Sequence, residues 1–137
     1  MNTPAVSDPG QRLQPPLIID SRDHSRLRQL AEDALDRAPD VAERLLEEID
    51  RAEVLPPDAM PEDVVRIGSL VTYQDERSGS IRTIRLVLPH EADLSTLRIS
   101  VISPIGAALI GLSVGQSMSW ALHDGEPQTL TVTRVLD

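Results

Sequence analysis

Apolar positions in the first half of the chain recur with helical spacing. Leu27, Leu30, Ala31, Ala34, Leu35 and Ala38 fall at i, i+3, i+4, i+7, i+8 and i+11, a continuous stripe along one helix face. Asp20 or Ser21 stands ahead of the stripe as N-cap, and Asp23 lies in the first turn, where the helix dipole favours negative charge. Pro39 interrupts the run. Beyond it Val41, Ala42, Leu45, Leu46, Ile49 and Ala52 define a second apolar face, with Asp40 and Glu43 at capping-box spacing. This second helix has to end before Pro56-Pro57, because a residue preceding proline avoids the α region. Two amphipathic helices with so short a break predict an antiparallel αα-hairpin. Helices of about 15–18 residues, at 1.5 Å per residue, make a short arm of roughly 22–27 Å.

After Pro56-Pro57-Asp58-Ala59-Met60-Pro61, a stiff segment, the period changes to two or to short aliphatic runs. Ser69–Gln74 and Ile81–Leu88 are expected strands around a hairpin loop at 75–80, and Leu97–Ile102 is a third. Pro104–Leu109 predicts a short helix with proline in its first turn and Gly111 placed to end it. Gln116–Leu122 and Thr129–Leu136 flank His123-Asp124-Gly125-Glu126, whose Asp-Gly pair signals a turn. The fold class is α+β, with a helical hairpin followed by a small antiparallel sheet carrying one short helix. Residues 1–16 hold four of the 11 prolines and little to bury, so they read as a disordered tail. The remaining divisions are a hairpin at 17–55, a proline-rich linker at 56–64 and a sheet domain at 65–137. The hairpin and the sheet domain are expected to be separable units with few contacts between them.

Composition narrows the chemistry. In 137 residues there are 22 Asp+Glu against 13 Lys+Arg, a formal charge of −9, and every basic residue is Arg. Residues 17–55 alone carry 11 acids and six Arg. Such a balance argues against direct, sequence-independent nucleic-acid binding and against docking on an anionic membrane. Cys is absent, which removes disulfides, thiolate catalysis and Cys-based zinc sites. The three histidines, His24, His90 and His123, are scattered, and no G-x-S-x-G marks a nucleophile elbow. No cofactor or metal is implied. The N-terminal stretch lacks a basic n-region and an apolar h-region, and no apolar run approaches a membrane span, so a cytoplasmic protein is expected.

The segment Ile99-Ser-Val-Ile-Ser-Pro-Ile-Gly-Ala-Ala-Leu-Ile-Gly-Leu-Ser-Val-Gly115 resembles the Ser-Pro helix in the C-terminal domain of Gre-type transcript-cleavage factors. Met60-Pro-Glu-Asp-Val-Val65, leading into Ser69-Leu70-Val71, is similar to the junction in nucleoside diphosphate kinase regulators of the Rnk type, Gre relatives with a shortened hairpin. The resemblance spans about residues 18–137. It implies an N-terminal helical hairpin, or short coiled coil, joined to an FKBP-like C-terminal domain. Many Gre factors carry Asp or Asn where this chain has Ile102, so the resemblance implies an altered contact there.

The same resemblance implies a function. Gre factors insert their hairpin into the secondary channel of RNA polymerase, where acidic tip residues help hold a catalytic metal. The corresponding tip here comprises Asp36, Asp40 and Glu43, on an arm too short to reach that metal. The expected function is therefore a monomeric, non-catalytic RNA polymerase-binding regulator that docks near the secondary channel and competes with Gre-type elongation factors. Its contact surface would be Ile102, Ser103, Pro104 and Ile105. The family name adds a link to nucleoside diphosphate kinase. The alternative is a transcript-cleavage co-activator in which the tip carboxylates complete the polymerase metal site. Prolyl isomerisation, the other activity of FKBP-like folds, needs an aromatic pocket that Tyr73 and Trp120 alone cannot build.

Overall fold

A short parallel strand pair closes the base of the helical unit. In the computed structural model, which describes residues 15–120 and 128–137, β1 (Ile18–Asp20) pairs with β2 (Glu53–Leu55). Between them run α1 (Ser21–Ala34) and α2 (Pro39–Arg51), packed against each other. Asp20 is the N-cap of α1, accepting from the Arg22 N–H at 2.8 Å. The helix stops at Ala34, so Leu35 is exposed and Ala38 lies in the connection. Asp40 is not the cap of α2. Pro39, with no N–H to lose and a preset φ, takes the first helical position, which makes Ala38 the N-cap without a side-chain bond. Asp40 thus contributes only its charge to the first turn.

Pro57–Ala59 forms a single 3-10 turn, and Val64 and Val65 behind it are already buried. The sheet follows: β3 (Leu70–Asp75), β4 (Ile81–Val87), β5 (Arg98–Ser100), β6 (Ser117–Trp120) and β7 (Gln128–Leu136), in the spatial order β5-β4-β3-β7-β6. The expected all-antiparallel sheet needs correction at one edge, because β5 pairs parallel to β4, with Arg85 opposite Arg98. Two 3-10 turns, Pro89–Glu91 and Leu94–Thr96, carry the chain back so that it re-enters the sheet in the direction of β4. The helix α3 (Pro104–Leu109) then covers the core. The expected turn at 123–126 lies outside the described residues. Among the described residues, no helix is long and apolar enough to cross a membrane.

The helical unit and the sheet share one core. Leu27, Ala31, Val41, Leu45 and Ile49 belong to the same buried cluster as Val71, Leu86, Ala108, Leu109, Met118 and Leu130. The expectation of two units with few contacts does not survive this. Its physical reason is that α2 turns its apolar face onto α3 and the adjoining sheet edge instead of saving it for α1 alone. Arg44 fastens this contact, donating to the Ser119 carbonyl at 3.1 Å and to Met118 Sδ at 3.3 Å. The buried Glu48 holds Arg44 and Arg51 in place from the same helix.

Two glycines permit the close packing. Gly111 has φ +85°, and a Cβ there would lie 3.2 Å from Leu17 Cβ and 3.3 Å from the Ile18 carbonyl oxygen. Its carbonyl accepts the Ile18 N–H at 3.1 Å, and its own N–H donates to the Val65 carbonyl. Gly106 brings α3 down onto the chain before it, where a Cβ would fall 2.1 Å from the Ser100 carbonyl oxygen.

Charge joins the base of the helices to the last strand. Arg66 donates to Asp20 at 3.2 Å and to Asp137 at 3.1 Å, and the Ser69 hydroxyl donates to Asp137 at 2.9 Å. Burial pushes the Asp20 carboxyl up. Bonds from the Arg22 side chain and backbone, together with Arg66, outweigh it and hold the pKa below its ordinary 3.8. Burial and the neighbouring Asp20 charge raise the pKa of Asp23.

Gly111→Ala is expected to cost about 1–2 kcal/mol for a left-handed alanine, and Gly106→Ala more, because backbone has to move. Urea denaturation of the two variants measures both, with Gly106→Ala the less stable. The Asp20 clamp has a pH signature. Its folded pKa is depressed, so its stabilisation is complete above the unfolded value and is lost as pH falls through the folded one. Asp20→Asn keeps a capping oxygen but removes the charge. It should cost about 1.5–3 kcal/mol at neutral pH, and the gap to wild type should close as pH falls below about 4. Because the Asp20 charge itself helps raise the pKa of Asp23, Asp20→Asn also relieves part of the opposite contribution of Asp23, and the gap measured is the net of the two.

Candidate functional site

The start of α3 is built from side-chain bonds that use up its own polar groups. Ser103 is the N-cap: its Oγ accepts the Gly106 N–H at 3.0 Å and donates to the Ser100 carbonyl at 2.7 Å. Pro104 takes the first helical position and is exposed. Ile102 donates its N–H to Ser100 Oγ at 2.9 Å, and its half-buried side chain packs on the core, as does that of Ile105. The structure therefore brings all four of these residues together at one turn. A polar residue at position 102 is not needed to cap α3, since Ser103 does that.

Asp36, Asp40 and Glu43 are all exposed at the end of the helical unit remote from β1 and β2. They do not stand on a projecting arm. Arg37 and Ala38, between them in the chain, line one cleft of about 350 Å³ with Pro89, Ser100, Ile102 and Ser103. The connection between α1 and α2 thus lies beside the start of α3. Arg37 donates to the Asp33 carbonyl at 3.2 Å, which steadies the guanidinium at the cleft.

A second cavity, about 270 Å³, is lined by Asp20, Arg22, Asp23, Arg66, Ile67, Gly68 and Asp137. Its charges other than Asp23 are paired with each other, and it serves the clamp at the helical base. Among the described residues, no three His, Asp or Glu side chains gather closely enough to hold a metal ion. Sequence reasoning missed both the Asp20–Arg66–Asp137 cluster and the nearness of Arg37 to Ser103. No periodicity signals either, because the partners stand 46 to 71 residues apart within the clamp.

Residues 60–137 match the family model described as the C-terminal part of the transcription elongation factors GreA and GreB. Residues 15–55 match the one described as the Rnk N-terminus. The regulator of nucleoside diphosphate kinase of Escherichia coli K12 is 37% identical over 119 residues, covering 87% of this chain and 88% of that protein. The transcription elongation factor GreA of Rhodospirillum rubrum is 43% identical over 106 residues, 74% of this chain and 68% of its own. Among solved structures, a GreA/GreB elongation factor from Nitrosomonas europaea superposes with a TM-score of 0.70 at 32% identity, covering 90% of this chain and 99% of its own. The chain belongs to the GreA/GreB family, in the branch that carries an Rnk-type N-terminus.

Proposed function

We propose that this protein is a cytoplasmic, non-catalytic regulator that binds RNA polymerase near its secondary channel and displaces Gre-type elongation factors by occupying their docking site. The FKBP-like sheet domain supplies the contact through Ile102, Ser103, Pro104 and Ile105. Family membership supports the partner. The observation that carries the mode of action is the burial of α2 in the same core as the sheet, with the helical connection set beside Ser103. A helical unit held this way occupies the entrance without reaching a metal deep in the channel, so Asp36, Asp40 and Glu43 activate no water there. Competition is then a matter of relative affinity and concentration. The effect on nucleoside diphosphate kinase carried by the relative's name follows, in this reading, from altered transcription and not from contact with the kinase.

Docking is tested by displacing a labelled Gre factor from core polymerase. Ser103→Arg and Pro104→Glu place opposite charges at one turn, so a loss common to both reports position and not sign. Each should weaken displacement at least tenfold, about 1.4 kcal/mol. Ser103→Arg should also lose about 1 kcal/mol of stability with its cap, whereas Pro104→Glu adds a charge that the helix start favours. Unchanged displacement by both would put the surface elsewhere. In a purified transcript-cleavage assay, the wild type and an Asp36→Ala, Asp40→Ala double variant should be equally inactive. Cleavage by the wild type that the double variant loses would establish the co-activator reading instead.

A further inference from the structure

We infer that the cleft between the α1–α2 connection and the start of α3 is a seat for a carboxylate side chain of the polymerase, gripped by Arg37 and flanked by aliphatic contacts. This rests on the proposed docking and extends its surface to the helical connection, to which family resemblance assigns a different role. Six residues line the cleft, and Arg37 is the one ionisable group among them, in a chain carrying 22 acids and 13 Arg. The lining is thus basic, although the exposed Asp36 and Asp40 flank it in the chain. The polar neighbours are already engaged: Ser103 Oγ serves Gly106 and Ser100, and Ser100 Oγ accepts from Ile102. Ser100 Oγ keeps its single O–H donor, and the guanidinium offers several more, since its one hydrogen bond among the described residues is from Nη1 to the Asp33 carbonyl.

Contrast within the protein sharpens this. Arg22, Arg28, Arg44, Arg51 and Arg66 each meet a carboxylate, whereas Arg37, like Arg26, Arg82, Arg85, Arg98 and Arg134, meets none among the described residues, and it alone of these lines the cleft. A guanidinium fork matches a carboxylate bidentately, better than an ammonium does. Ala38, Pro89 and Ile102 supply an apolar wall for the stem of the entering side chain. At about 350 Å³ the cleft is at the small end of ligand pockets, which run from roughly 300 to 1,000 Å³, and suits a side chain better than a cofactor. The seat is also pre-formed, as the shared core fixes both of its walls, so little ordering accompanies binding.

The test uses the full chain, core polymerase and a labelled Gre factor. Arg37→Glu should weaken displacement at least tenfold with an unchanged melting temperature, since the side chain is exposed, and Arg37→Lys should lose part of the affinity. Ala38→Asp provides a control that misfolding cannot imitate. It gives α2 the side-chain cap it lacks, so the melting temperature should rise, while its charge answers Arg37 and displacement should fall. If Pro104→Glu weakens displacement while Arg37→Glu and Ala38→Asp do not, the seat is refuted and the docking reading stands. If none of the three has an effect, both fall.

Discussion

Everything distinctive about this molecule depends on the close approach of the helical base to the segment following α3, at Gly111. The Ile18 N–H reaches the Gly111 carbonyl, the Gly111 N–H reaches Val65, and the Val65 N–H returns to the Leu112 carbonyl. Three segments far apart in sequence are thereby laced together through backbone. A left-handed residue with no Cβ is required where they cross. Once β1 is held there, α1 and α2 leave it in a direction that buries Leu45 and Ile49 in the same cluster as Leu109 and Met118. The Asp20–Arg66–Asp137 clamp and the Arg44–Ser119 bond reinforce that direction at two other places.

The packing sets the dynamics. Swinging the helices away would expose apolar core residues such as Leu45 and Ile49, each worth about 1.5–3 kcal/mol when buried, and would part Asp20 from Arg66 and Arg44 from the Ser119 carbonyl. Such an opening is a large fraction of the stability of a domain this size. The helical unit is therefore a fixed wall of the docking body. Under the proposed function, that wall lets the protein hold a competitor's site without performing the competitor's reaction.

Much of this is legible in the residues. Both apolar stripes, the strands β3, β4 and β7, and the Ser103 cap with Pro104 behind it follow from local patterns that local physics enforces. The failures are equally physical. The spacing of Asp40 to Glu43 fits a cap, but a proline at the first helical position moves the boundary by itself. The parallel pairing of β5 has no local signal, because strand direction is decided by the path of the connecting turns, which no period encodes. An amphipathic stripe states that a face is buried but not against what. That ambiguity makes two units of one core, and it hides the seat beside Ser103.

Pulsed electron–electron distance measurement tests the shared core most directly. The chain has no native cysteine, so Asp36→Cys and His90→Cys can carry paired spin labels at the helical connection and beside Pro89. A shared core gives a short, narrow distance distribution in the free protein that stays in place when core polymerase is added. A broad distribution, or one that moves to longer distance on polymerase binding, would show a mobile arm and contradict it.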